Sequence, residues 1–139
     1  MLLSRDQILR HMENGKIVIE PFNDKQLKTS SYDVTLGEWF WREKAPAVGA
    51  GSIHNLYDET STAAVWSGPH QAEPIEHLQE RLGKQFKNIP AGRQVILLEP
   101  GETILAHTNE YIGGRDICVG KMYARSSLGR NFIEVCKDA

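Results

Sequence analysis

Apolar positions in the opening segment, "MLLSRDQILRHMENGK", recur at helical spacing, with Ile8, Leu9 and Met12 on one face. Ser4 with Gln7 three positions later makes a capping box, and Gly15 suits the exit, so the pattern predicts a helix over residues 4–14. Beyond it the period shortens. "KIVIEPF" is a β-branched run ended by Pro21, and "SYDVTLGEWFW", 31–41, alternates before turning aromatic. Both predict strands, joined by the polar spacer "NDKQLKTS".

From Lys44 to about Gly68 small and polar residues keep no sustained period, the pattern of a long surface excursion. "IEHLQERL", 75–82, predicts two helical turns closed by Gly83. The remainder is strand-like: "QVILLE", the turn "PG", "ETILAHT", "DICVGKMYA" and "NFIEVCK", each short, apolar and bounded by turn residues. The expected fold is therefore mainly β with one N-terminal helix and small helical insertions. With 139 residues and 40% apolar content, one domain over 1–139 is expected. Because only Asp138 and Ala139 follow "NFIEVCK", a core-like strand there needs another subunit or further strands to pair with.

Charge narrows the classes of partner. A formal charge of −2 and a pI near 6.2 argue against binding a nucleic-acid polymer by bulk electrostatics, although a small anionic ligand needs only local positive charge. Charges from Arg5 onward interrupt the N-terminus, so neither a signal peptide nor a membrane span is expected and the protein reads as cytoplasmic. Cys118 and Cys136 lack a CxxC spacing and read as reduced, small core residues.

Three chemistries suggest themselves for specific side chains. His70, Glu73, Glu76 and His77 in "HQAEPIEHLQE" invite a metal, but their spacing matches no closed ligand set and Pro74 interrupts a helix that would align them; a solvated loop and helix start is the plainer reading. Zinc deaminases carry HxE and a later PCxxC, because the metal needs one imidazole and two thiolates to activate water; neither element is present, so no zinc is expected. Ser126 and Ser127 sit outside any GxSxG elbow and no histidine is designated as their base. What remains is "RSSLGR", Arg125 to Arg130. Arginine forks bind phosphate oxygens bidentately, adjacent hydroxyls fill further lone pairs, and Gly129 permits close backbone approach. A strand–turn–strand with solvated arginines fits the same letters. Asp33 invites an acid or base role, yet in a strand pointing Val34 and Leu36 inward it reads more plainly as a structural hydrogen-bond acceptor near a turn.

"RSSLGR" resembles the nucleotide-binding motif of the dCTP deaminase family, whose fold is shared with trimeric dUTPases. "LLSRDQILRHMENGKIVIEPF" looks like that family's N-terminal helix and first strand, "SSYDVTLG" like its early strand motif, and "LLEPGETILAHTNEYI" like the strands leading to the motif; about 44–88 is unmatched. The resemblance implies a dUTPase-like β-clip, a distorted barrel, working as a homotrimer with active sites between subunits. It implies hydrolysis of dCTP to dUTP and ammonia without zinc, with magnesium (Mg2+) carried by the triphosphate. Arg125, Ser126 and Ser127 would contact the triphosphate, Ser126 would also approach the catalytic water, Arg130 would support the site near the base, and Leu128 and Gly129 would shape the loop. The family's catalytic glutamate lies on a later strand not reached by Ala139, and Glu134 does not match it, so a piece of a longer deaminase is expected, apparently lacking the C-terminal strands, rather than a short homologue without catalysis. A dUTPase, a bifunctional deaminase and dUTPase, a noncatalytic nucleotide binder and a β interaction domain stand as alternatives, Arg130 favouring the deaminase.

Overall fold

The computed structural model describes residues 2–44, 54–116 and 118–136. In chain order they form helix α1 (Arg5–Glu13), strand β1 (Ile17–Glu20), a 3-10 turn (Asp24–Gln26), β2 (Leu36–Glu43), α2 (Glu59–Ala64), β3 (Trp66–Gln71), β4 (Glu73–Pro74), α3 (Ile75–Leu82), β5 (Gln94–Val95), β6 (Ile104–Thr108), β7 (Tyr111–Gly114) and α4 (Ser126–Arg130). The protein is mainly β, built of antiparallel sheets and a few short helices. Among the described residues no sheet closes into the barrel expected from the sequence; the sheets are β1–β7, β3–β2–β6 and β4–β5. No described helix is long and apolar enough to cross a membrane.

The chain divides into two compact units, one of residues 1–34 with 110–139 and one of 35–109. In the first, α1 forms where the capping box places it. Ser4 Oγ accepts from the Gln7 N–H at 3.4 Å and Gln7 Oε1 accepts from the Ser4 N–H at 2.9 Å, satisfying two donors that the first helical turn leaves over. Ile8 is buried, while Leu9 and Met12 are half-buried. After the exit, β1 pairs antiparallel with β7, Ile17 opposite Gly114 and Glu20 opposite Tyr111, which buries Ile19. The spacer between predicted strands is a folded hairpin. Asn23 caps the 3-10 turn by accepting from the Lys25 N–H at 3.1 Å, Leu27 bridges Tyr32, and the Phe22 and Tyr32 rings stack at 5.8 Å. The predicted strand 31–41 accordingly begins only at Leu36, because the Asp33 N–H is donated to the Gln26 carbonyl at 2.9 Å instead of to a ladder.

In the second unit β2 is central, flanked by β3 and β6, and its Phe40 is buried. Over Phe40 lies a polar cover. The Arg42 guanidinium carbon stands 5.0 Å from the ring centroid, and the same guanidinium donates to the Leu97 carbonyl at 2.9 Å and to the Glu102 carboxylate. The Arg42 hydrogen bond, with a further one from the Glu99 N–H, holds the Glu102 carboxyl below its ordinary value of 4.5. Gly37 of β2 is buried because the His107 ring of β6 occupies the place of a side chain; a Cβ there would fall 2.1 Å from the ring. Helix α3 runs where predicted, closed by Gly83 in the left-handed conformation at φ 62°, and it buries Ile75 and Leu78. These two face an apolar groove of about 220 Å³ lined also by Phe86, Ile89, Val95, Ile96, Leu97 and Leu98.

Several expectations are corrected. Of the excursion from Lys44 to Gly68, residues 45–53 lie outside the described residues; the rest holds α2, capped by Asp58 accepting from the Thr60 N–H, and the start of β3. "WSGPHQ" has almost no intrinsic strand preference, and pairing with β2 imposes the conformation. "QVILLE" contributes only Gln94 and Val95 to a ladder. The described residues of "DICVGKMYA" and "NFIEVCK" form no strand, and Cys136, read as a core residue, is exposed while Cys118 is half-buried. Val119 and Phe132 are more than nine-tenths exposed, and apolar character without a ladder alongside does not make a strand.

Gly37→Ala is expected to push the His107 ring out of its seat at a cost of about 1 kcal/mol, read as a lower urea midpoint, and His107→Ala should restore most of the loss. Glu102→Gln is expected to cost about 1 kcal/mol at pH 7. Because the Glu102 carboxyl titrates below 4.5 in the folded protein, its contribution is complete above that value and lost as pH falls through the folded one. Urea unfolding of both forms should therefore converge as the pH drops beneath 4.5.

Candidate functional site

The six residues singled out in the sequence occupy one helical turn and its entrance. Arg125 is extended, at φ −66° and ψ 145°, and its carbonyl accepts from Leu128 and Gly129, so α4 begins at Ser126 rather than forming a strand–turn–strand. Arg130 Nη2 donates to Ser126 Oγ at 3.3 Å, and Asn131 Nδ2 closes the turn on the Ser127 carbonyl at 2.7 Å. Leu128 is half-buried and anchors the turn, leaving Arg125, Ser126, Ser127, Gly129 and Arg130 exposed. The structure thus gathers two cations and two hydroxyls on one exposed turn. A turn of this kind offers charge-assisted donors to an anion.

Among the described residues, Arg125 forms one ion pair. Its Nη2 lies 3.5 Å from Asp33 Oδ2, and the Lys28 Nζ lies 3.7 Å from that same oxygen. Lys28 Nζ also donates to the Lys25 carbonyl at 2.7 Å. Asp33 is held from inside: Gln26 Nε2 donates to the Asp33 carbonyl at 2.7 Å and to Glu110 Oε1 at 2.8 Å, and Glu110 is only 6% exposed. The structural hydrogen bonds at Asp33 are made by its backbone and not by the side chain read as the acceptor; its carboxylate faces Lys28 and Arg125. Gln26, Lys28 and Glu110 carried no signal of their own in the sequence, since their meeting depends on the hairpin of 23–33 and on β7 bringing distant residues together.

The other candidates are engaged elsewhere. In the second unit, His70 Nε2 is 3.2 Å from Ser67 Oγ, Glu73 pairs with Arg81, and Glu76 Oε1 accepts from the Gly92 N–H at 2.7 Å, which holds its carboxyl below the usual range. Among the described residues no group of three or more His, Cys, Asp or Glu is arranged to hold a metal ion. A shallow hollow of about 430 Å³ near the end of α3, among Glu76, Gln79, Glu80, Gly83, Lys84 and Gln85, contains no residue of the motif. Glu134 is exposed.

Fold and site together define a mainly β protein that presents an Arg-Ser-Ser turn beside the Asp33 carboxylate. The family model described as dCTP deaminase-like matches residues 2–139, and the chain belongs to that family. It is similar to the "dCTP deaminase, dUMP-forming" of Methanococcus maripaludis strain C5, 29% identical over all of this chain and 64% of that protein. The protein of the same name from Methanococcus vannielii is 31% identical over 96% of this chain and 61% of its own length. That from Dictyoglomus thermophilum is 33% identical over 94% and 56%. The chain thus spans roughly six-tenths of the length of these relatives.

Gln26→Leu removes two donors at once, one of them to a buried carboxylate. It is expected to destabilise the protein by about 1.5–3 kcal/mol, measured by chemical unfolding, whereas Gln26→Glu should be no better because it sets a second carboxylate against Glu110.

Proposed function

We propose that this chain forms the triphosphate-binding part of a dCTP deaminase whose product is dUMP. The observation that carries the reading is the turn Arg125–Arg130, with two exposed guanidinium groups and two exposed hydroxyls, in a chain of the dCTP deaminase-like family. Arg125, Ser126 and Ser127 bind the triphosphate. Ser126, hydrogen-bonded to Arg130, orients the attacking water, and Arg130 steadies the pyrimidine end. Leu128 and Gly129 hold the backbone of the turn. Magnesium arrives with the triphosphate it neutralises.

Arginines stay cationic and serine hydroxyls neutral at working pH, so the motif supplies binding and orientation, and the general base comes from another part of the assembled enzyme. Water adds at C4 of the cytosine and ammonia leaves; a second water cleaves the bond between the α and β phosphates, giving dUMP and pyrophosphate. Fixing the triphosphate holds both reacting centres relative to their waters. The names of the relatives favour dUMP over the dUTP expected from the sequence. A homotrimer, with sites between subunits, is the assembly this reading takes.

The test is to incubate the purified chain with dCTP and Mg2+ and follow ammonia, dUMP, dUTP and retained nucleotide. Retention of dCTP is expected, with Arg125→Ala weakening it by about 1.5–3 kcal/mol. Ammonia accompanied by dUTP rather than dUMP would replace the bifunctional reading with simple deamination. Absence of retention, or retention indifferent to Arg125→Ala, would remove the motif from nucleotide binding.

A further inference from the structure

Two cations share one carboxylate oxygen at the surface of the first unit. Lys28 and Arg125 come from segments nearly a hundred residues apart in sequence, yet both direct their charge at Asp33 Oδ2, from 3.7 Å and 3.5 Å. Lys28 is fixed at both ends of its hairpin: its N–H donates to the Ser31 carbonyl at 2.8 Å and its ammonium to the Lys25 carbonyl. Asp33 is fixed through Gln26 to the buried Glu110. The backbone at Asp33 is therefore positioned from the interior, and its carboxylate offsets the repulsion that would otherwise drive the two cations apart.

We infer that Lys28 is a further phosphate-binding residue, forming with Arg125 a two-cation seat for the triphosphate, and that Asp33 is the internal counterion that keeps the seat assembled. The inference rests on the reading of Arg125 as a triphosphate ligand and extends it to a residue outside the motif. Two cations against one carboxylate leave a net positive charge, so an incoming phosphate gains attraction without Asp33 being displaced from its backbone bonds. A lysine suits this place, because its ammonium acts as a point charge and turns to whichever oxygen is nearest.

Binding of dCTP and of inorganic triphosphate to the full chain, titrated for Lys28→Gln, Lys28→Arg and Arg125→Gln, decides it. Lys28→Gln is expected to weaken both ligands about tenfold, with Lys28→Arg restoring most of the loss and the unfolding midpoint unchanged, as befits a side chain that is half exposed. Unaltered affinity in Lys28→Gln while Arg125→Gln binds weakly would overturn the inference and leave the cradle standing. Arg125→Gln without effect would remove the cradle and this inference with it. Weakening that follows a lowered unfolding midpoint, or that Lys28→Arg does not repair, would mark Lys28 as structural and also overturn it.

Discussion

The carboxamide of Gln26 donates to two acceptors at once, the Asp33 carbonyl and the buried Glu110 carboxylate. A buried carboxylate is costly unless its oxygens are hydrogen-bonded, and Gln26 supplies one of those bonds from the hairpin side. That bond ties the hairpin of 23–33 to the start of β7, in spite of the distance between them in sequence. The placement of Asp33, and through Asp33 of Lys28 and Arg125, descends from it. The exposed chemistry is thus set by an interior polar contact rather than by the surface charges themselves, which are individually weak.

The second unit solves a different problem with similar means. Its central strand carries a buried aromatic ring, Phe40, and the ring is roofed by Arg42, whose guanidinium is tied to the Leu97 carbonyl and Glu102. The arginine covers apolar surface with a charged group that has partners of its own, joining β2 to the turn before β6. Close approach does the rest, with His107 seated where Gly37 has no side chain. The glycine of "SYDVTLG" is therefore explained by packing, and the aspartate of the same stretch by the hairpin of the first unit.

How much of this could be read from the letters follows the range of the interactions. Helices α1 and α3 were legible because the capping box of α1, the facial spacing of its apolar residues and the glycine that closes α3 act within one or two turns. So were β1, β6 and most of β2. Strand β3 was not, since "WSGPHQ" owes its conformation to β2, and "NFIEVCK" was misread because apolar, β-branched letters form a strand only when a ladder is offered. At the site, the residue types of Arg125 to Arg130 set the stretch apart, but the helical form of the turn was not legible, as the serines and glycine there prefer caps and bends. Lys28 and Glu110 were invisible, because nothing short of the folded hairpin brings them to Asp33 and Gln26.

Helix α4 is five residues long, a single turn with hardly more internal hydrogen bonds than it takes to start one. Such a turn has little persistence of its own, and its shape is held by Leu128 and by Asn131. A ligand that grips Arg125, Ser126 and Ser127 must therefore fix a segment that is only marginally ordered beforehand. Part of the contact free energy is spent on that ordering, so the apparent affinity understates the strength of the contacts. Any neighbouring surface that packs against the exposed side of the turn would raise the affinity for such a ligand without touching it, by doing the ordering in advance.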